Sequence, residues 1–197
     1  LKKFLVGVLV LFVSATGICD ERKILDYSKV LFVDDFLYDK ASKQPLNGTY
    51  YMYYDSGELE SIVSYKNGRL HGPAEQYFPS GYLKGEGKYK DGKTVGDYKF
   101  YFESGKLHFN MPYKNGVKHG LQKVYHKNGN LERSFQLVDG KLNGAYKIFY
   151  KSGPIHKDMT FEQGKVVSGF IFSEDGKTKR KMTKAHLLKI NDGGDIE

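Results

Sequence analysis

Six histidines are the side chains here best suited to acid–base or metal chemistry, and their spacing decides whether they can act together. His71 and His119 are 48 residues apart, and so are His108 and His156. In a chain that repeats every 24 residues, each pair holds one slot two repeats apart, about 19 Å along a sheet. His108 and His126 are the pair that can approach, as diagonal neighbours about 7–8 Å apart on adjacent strands. His186 falls in the tail. Two histidines without a third ligand or an orienting carboxylate make neither a metal site nor a catalytic one. Ser56, Ser80, Ser104 and Ser152 each stand beside a glycine, where turn preference accounts for them. The expectation is a protein that is not an enzyme, with no cofactor and no metal.

The elements that position these residues follow from the period. Gly48, Gly72, Gly96, Gly120 and Gly144 lie 24 residues apart, as do Gly57, Gly81, Gly105, Gly129 and Gly153. A third register runs through Gly68, Gly92, Gly116, Gly140 and Gly164. A fixed period of this size signals a repeat architecture. Within a repeat, Thr49 to Tyr54 is rich in strand formers, Asp55-Ser56-Gly57 supplies a turn, and Glu58 to Tyr65 reads as a second strand. Asn67-Gly68 and its counterparts turn the chain back. The predicted fold is all-β: an elongated single-layer antiparallel β-meander of about five 24-residue β-hairpins. Placing odd-length loops at both turns pairs Tyr53 with Leu59 and centres the next turn on Gly68.

That register sorts side chains onto two faces. One receives Tyr53, Tyr77, Tyr101, Tyr125 and Phe149 beside Leu59, Leu83, Leu107, Leu131 and Ile155, together with Tyr65, Tyr89, Tyr113, Leu137 and Phe161. This regular face is expected to pack. The other is uneven, and its rings and aliphatics at Tyr98, Phe100, Phe102, Tyr146, Ile148 and Tyr150 are the expected partner-binding residues. Either that face is accessible, or the sheet curls and buries it. Lys99, Lys123 and Lys147 form a ladder beside Arg133 and Lys157, which either tracks an anionic partner or blocks edge-to-edge aggregation.

The ends differ in composition. Residues 1–18 carry an early Lys2-Lys3, the apolar run Phe4–Val13 and small residues at Ser14, Ala15 and Gly17, the order of a cleaved signal peptide. Cys19, the single cysteine, excludes an intrachain disulfide; the large Ile18 before it disfavours a lipoprotein site. Residues 19–45 read as a lead-in and capping strand, 46–176 as the repeats, and 177–197 as a basic and polar tail. Without Lys2 and Lys3, 29 basic residues face 23 acidic ones, a net charge of +6. Positive charge on a chain bound for the periplasm, cell surface or exterior suits a protein, a surface glycan or an anionic membrane, and not nucleic acid.

The phrase Gly96-x-Tyr98-x-x-Tyr101-Phe102-x-x-Gly105-x-Leu107, followed by Tyr113-x-x-Gly116, resembles the variant form of the MORN repeat. The resemblance covers about residues 30–176 and implies an elongated β-meander used as a scaffold or, in some members, at phospholipid membranes. Bacterial chains of this kind are often labelled YwqK-family antitoxins. The expected function is therefore a non-enzymatic binding or scaffold module, secreted or held at the envelope. The alternative is an antitoxin or immunity-type protein, for whose cytoplasmic version the Phe4–Val13 leader has no use.

Overall fold

The structure, a computed structural model, describes residues 22–194. The expected signal peptide and Cys19 lie outside the described residues.

Three short strands precede the repeats: β1 (Lys23–Ile24), β2 (Val30–Val33) and β3 (Phe36–Asp39). The first repeat is β4 (Gly48–Tyr53) with β5 (Leu59–Lys66), and the second is β6 (Arg69–Tyr77) with β7 (Leu83–Lys90). The third joins β8 (Lys93–Tyr101) to β9 (Leu107–Lys114). In the fourth, β10 (Val117–Lys118) and β11 (Gly120–Tyr125) lead into β12 (Leu131–Val138). The fifth is β13 (Lys141–Phe149) with β14 (Ile155–Glu162). Then β15 (Lys165–Phe172), β16 (Lys179–Lys181) and α1 (Lys184–Asn191) end the fold. From β4 to β16 the strands pair antiparallel in chain order in one long sheet, with β10 and β11 both on β9, and β1 joins its first edge in parallel. β10 and β11 are one strand interrupted at His119, which donates to the carbonyl of Pro112; proline has no N–H to return.

The two turns of a repeat are of different kinds. Asp55-Ser56-Gly57 is a three-residue loop closed by Gly57 N–H to Tyr54 C=O and Tyr54 N–H to Glu58 C=O, so Tyr53 pairs with Leu59 as expected. Asn67-Gly68, with φ of 50° and 76°, is a two-residue turn pairing Lys66 with Arg69. An odd loop and an even loop put the two hairpins out of step by one residue. Bulges absorb the difference. The register slips between Tyr53↔Leu59 and Met52↔Ser61, and again between Val63↔Ala74 and Tyr65↔Leu70.

The slip corrects the expected faces, because a shift of one residue moves a strand segment to the other side. Tyr65, Tyr89 and Phe161 stand with the uneven set: Tyr65 meets Tyr50 edge-on at 5.7 Å, Tyr89 meets Tyr98 at 6.3 Å, and Phe161 lies 5.5 Å from Tyr146. This ring face is the buried one. Tyr98 is 8% exposed and Tyr146 7%. The regular face that was expected to pack is half-exposed, with Tyr53 at 38%.

A single layer buries rings by laying them on its own backbone. Tyr98 covers Gly87 so closely that a Cβ there would sit 2.3 Å from its ring, and Phe100 covers Gly85 in the same way. At the C-terminal end Met182 and α1 close over Tyr146, Met159, Phe161 and Val166, the densest part of the core. The expected N-terminal capping strand is instead the hairpin β2–β3. It docks through Leu37 N–H to Gly68 C=O, and the Arg69 guanidinium lies 3.9 Å above the Phe36 ring.

Candidate functional site

The residues that could meet a partner lie on the ring face, in two lateral rows set by the bulges. The outer row follows the three-residue turns. The bulge gives each repeat one such slot, Glu60, Lys84, His108, Glu132 and His156, of which the last four lie beside Phe78, Phe102, His126 and Tyr150. Lys84 lies 5.8 Å from the Phe78 ring centre, His108 stacks on Phe102 at 4.1 Å, and His156 tilts against Tyr150 at 4.4 Å. In the fourth pair His126 Nδ1 is 3.6 Å from Glu132, which also approaches Arg133 Nε at 3.7 Å. Burial holds the His108 and His156 imidazoles below their ordinary value, with Lys157 adding to the effect at His156.

The inner row runs straight across the strands. Its first half is Met52, Ser61, Gln76, Gly85, Phe100 and Phe109, all uncharged. Its second half is Val124, Arg133, Ile148, Lys157, Ile171 and Arg180, in which a cation follows each aliphatic. Where the rows end, Tyr150, His156, Ile171, Phe172, Thr178 and Arg180 surround a half-open pocket of about 350 Å³.

Of the six residues expected to bind a partner, Tyr98 and Tyr146 are core. Phe100, Phe102, Ile148 and Tyr150 are half-buried, and Phe102 and Tyr150 stand in the outer row. The Tyr150 hydroxyl donates to Phe172 C=O at 2.8 Å, as Tyr54 does to Tyr77 C=O, tying one repeat to the next. The expected ladder of lysines is divided between the faces. Lys99 and Lys147 lie on the regular face against Glu86 (3.4 Å) and Asp158 (2.7 Å), whereas Arg133 and Lys157 lie on the ring face. Sequence reasoning missed this separation, although the Asn-Gly turns, with their two-residue preference, carried the signal for it.

The remaining histidines have structural partners. His71 Nδ1 accepts the N–H of Asp91, the positive-φ residue of the next repeat's turn, and lies 3.2 Å from its carboxylate. His119 does the same to Asp139, and Asn47 to Asn67. His186 forms a capping box with Thr183 at the start of α1. Among the described residues no three His, Cys, Asp or Glu gather as metal ligands, and no helix is long and apolar enough to cross a membrane.

A family model described as MORN repeat variant matches residues 46–67, 70–91, 94–115 and 118–137. No curated protein matches the chain. The fifth hairpin lies beyond the matched residues and keeps the first bulge, between Ile148 and Phe149, while its pairing with β15 slips by one residue between Thr160 and Phe161 where the earlier repeats slip by two; Phe149, Ile155 and Gln163 replace the earlier tyrosine, leucine and Asn or Asp.

Proposed function

Since residues 46–137 belong to the MORN repeat variant family, whose repeats are generally binding or scaffold modules, we propose that this protein is a secreted or envelope-associated, non-enzymatic binder whose ring face receives a partner protein. The observation that carries this reading is the outer row. A stack of repeats needs rings such as Tyr98 and Tyr146 for its core. Phe102, His108 and His156 have no comparable role and lie half-buried along one edge, with Tyr150, whose hydroxyl also ties neighbouring repeats, stacked beside His156. Aromatic side chains accessible on one surface are what protein contacts enrich. The apolar Phe4–Val13 run, with the small residues after it, supports export.

Crosslinking in intact cells, followed by capture of this protein, tests the reading. Phe102→Ala with Tyr150→Ala should abolish partner capture while the β-sheet circular dichroism stays that of the parent. Tyr98→Ala should instead cost about 3–5 kcal/mol of stability, because its ring is core. Undiminished capture by the folded Phe102/Tyr150 variant would remove the ring face from consideration.

A further inference from the structure

We infer that the margin of the sheet formed by its two-residue turns is a second binding surface, a row of lysines that takes a linear acidic polysaccharide. This surface lies apart from the ring face and shares with the proposed function only the reading that the protein is exported.

Charge is the first ground. Lys90 and Lys93 flank the second of these turns, Lys114 and Lys118 the third, Lys141 the fourth and Lys165 the fifth. All six are exposed, and none has an ion-pair partner among the described residues. The acids at the same turns are Asp91, Asp139 and Glu162, and the first two lie 3.2 and 3.3 Å from His71 and His119 Nδ1. Lys90 pairs directly with Lys93 across its turn. Like charges placed opposite each other destabilise a sheet, so folding alone gives no reason for that pair. The other margin is mixed: its three-residue turns set Asp55, Glu103 and Glu174 among Lys106, Lys127 and Lys151.

Shape is the second. Successive turns are two strands apart, so the row runs about 29 Å from the second turn to the fifth. Strand twist of about 20–25° per strand rotates it through roughly 120–150° over that distance. A flat bilayer meets one or two turns of such a row at a time, whereas a chain can follow it from end to end. A ridge one or two side chains wide buries too little area for a folded partner, and lysine is depleted at protein interfaces. The large hydrophobic residues exposed at these turns are Val117 and Val138, with no exposed ring among the described residues there to stack the bases of a single-stranded nucleic acid. Lysine ammonium groups are hydrated point charges that attract carboxylates without a fixed fork, which suits a polymer whose charge recurs along its length. Linked sugar rings are stiffer than a polypeptide, so less freedom is lost when the chain lies along a fixed row.

Fluorescence anisotropy of the full chain with labelled polygalacturonate tests the inference. Its comparators are neutral dextran, polyglutamate, single-stranded DNA and phosphatidylglycerol vesicles. Polygalacturonate should bind at least about threefold more tightly than polyglutamate or the DNA, the gain from its stiffness and from the missing base contacts. Dextran should not bind, and added salt should weaken polygalacturonate, because exposed charges are screened. Lys90→Gln, Lys114→Gln and Lys141→Gln together should weaken it about tenfold or more, the sum of three modest surface pairings. Lys106→Gln, Lys127→Gln and Lys151→Gln remove the same charge from the other margin, several Debye lengths away, and should leave binding within about twofold. Equal loss in the two triple variants would show attraction to net charge alone and overturn the inference. So would tighter binding of the vesicles, the DNA or polyglutamate, or no binding of polygalacturonate. Phe102→Ala with Tyr150→Ala should bind polygalacturonate as the parent does, which separates loss of the ring-face partner from loss of the polysaccharide; a weakened affinity there would also overturn the inference.

Discussion

At the scale of single residues, the ionisable side chains serve the stack before anything else. His71, His119 and Asn47 hold equivalent slots, and each accepts the N–H of a turn residue twenty positions on. Tyr101 donates to Glu86, which lowers the Glu86 carboxyl, while burial and this acid push the tyrosine up to about 12. His108 and His156 behave differently, since burial holds them below the ordinary 6.5. For such a group the unfolded chain takes up the proton first. Its contribution to stability is complete above 6.5 and is lost as pH falls from there toward the folded-state value. Glu86 and Asp175, also lowered, lose theirs only further down, as pH drops below their ordinary 4.5 and 3.8. The melting temperature should therefore fall between about pH 7 and about pH 5, and His108→Gln with His156→Gln should flatten that fall. An unchanged slope in the double variant would show that these rings do not titrate on unfolding.

At the scale of elements, each turn imposes its own parity. The strands run close to where local chemistry puts them: Thr49–Tyr54 was expected and Gly48–Tyr53 is found, Glu58–Tyr65 was expected and Leu59–Lys66 is found. Turn glycines and strand formers act within a few residues, so their message is legible in the chain. Register is a sum over two turns and everything between them. A bulge of one residue at Glu60 and its equivalents reassigned Arg133 and Lys157 to the ring face. The turns also differ in quality. Asn67, Asp91, Asn115 and Asp139 sit at positive φ, where such side chains are enriched; Gln163 occupies the same place at 50°. Gln163→Asn should raise the urea midpoint by the equivalent of about 0.5 kcal/mol with an unchanged slope, in line with turn optimisation elsewhere. A lowered midpoint would mean the glutamine has a contact worth more than its backbone strain.

At the scale of the molecule, repeats are joined in one dimension, so each holds its neighbours and the ends need separate protection. Turn glycines pass N–H groups down the stack, from Gly68 to Leu46 C=O and on through Gly92, Gly116, Gly140 and Gly164 to Leu142 C=O. At the N-terminal end β1 covers the edge of β4, and the β2–β3 hairpin closes over the first Asn-Gly turn. The C-terminal end is closed by a charged edge strand, Lys179–Lys181, and by α1, whose Asn191 side chain bonds both the N–H (2.8 Å) and the C=O (3.1 Å) of Val166. Charged edge strands discourage pairing with another sheet. Asn191→Ala should speed hydrogen exchange in β15 and β16 while β5 to β8 keep their parent rates. Uniform acceleration along the sheet would show that the stack unfolds as one unit.

Glycine spacing and turn chemistry were enough to specify a five-hairpin meander, because each depends on residues near in sequence and recurs without change. Which face closes over the rings was decided in three dimensions. Tyr98 can lie flat only because Gly87 on the neighbouring strand leaves it room, and Arg133, Lys157 and Arg180 fall into one row only after the bulges slip the pairing by a residue. Those are relations between strands, and a linear order of amino acids holds them only through the parity of its turns.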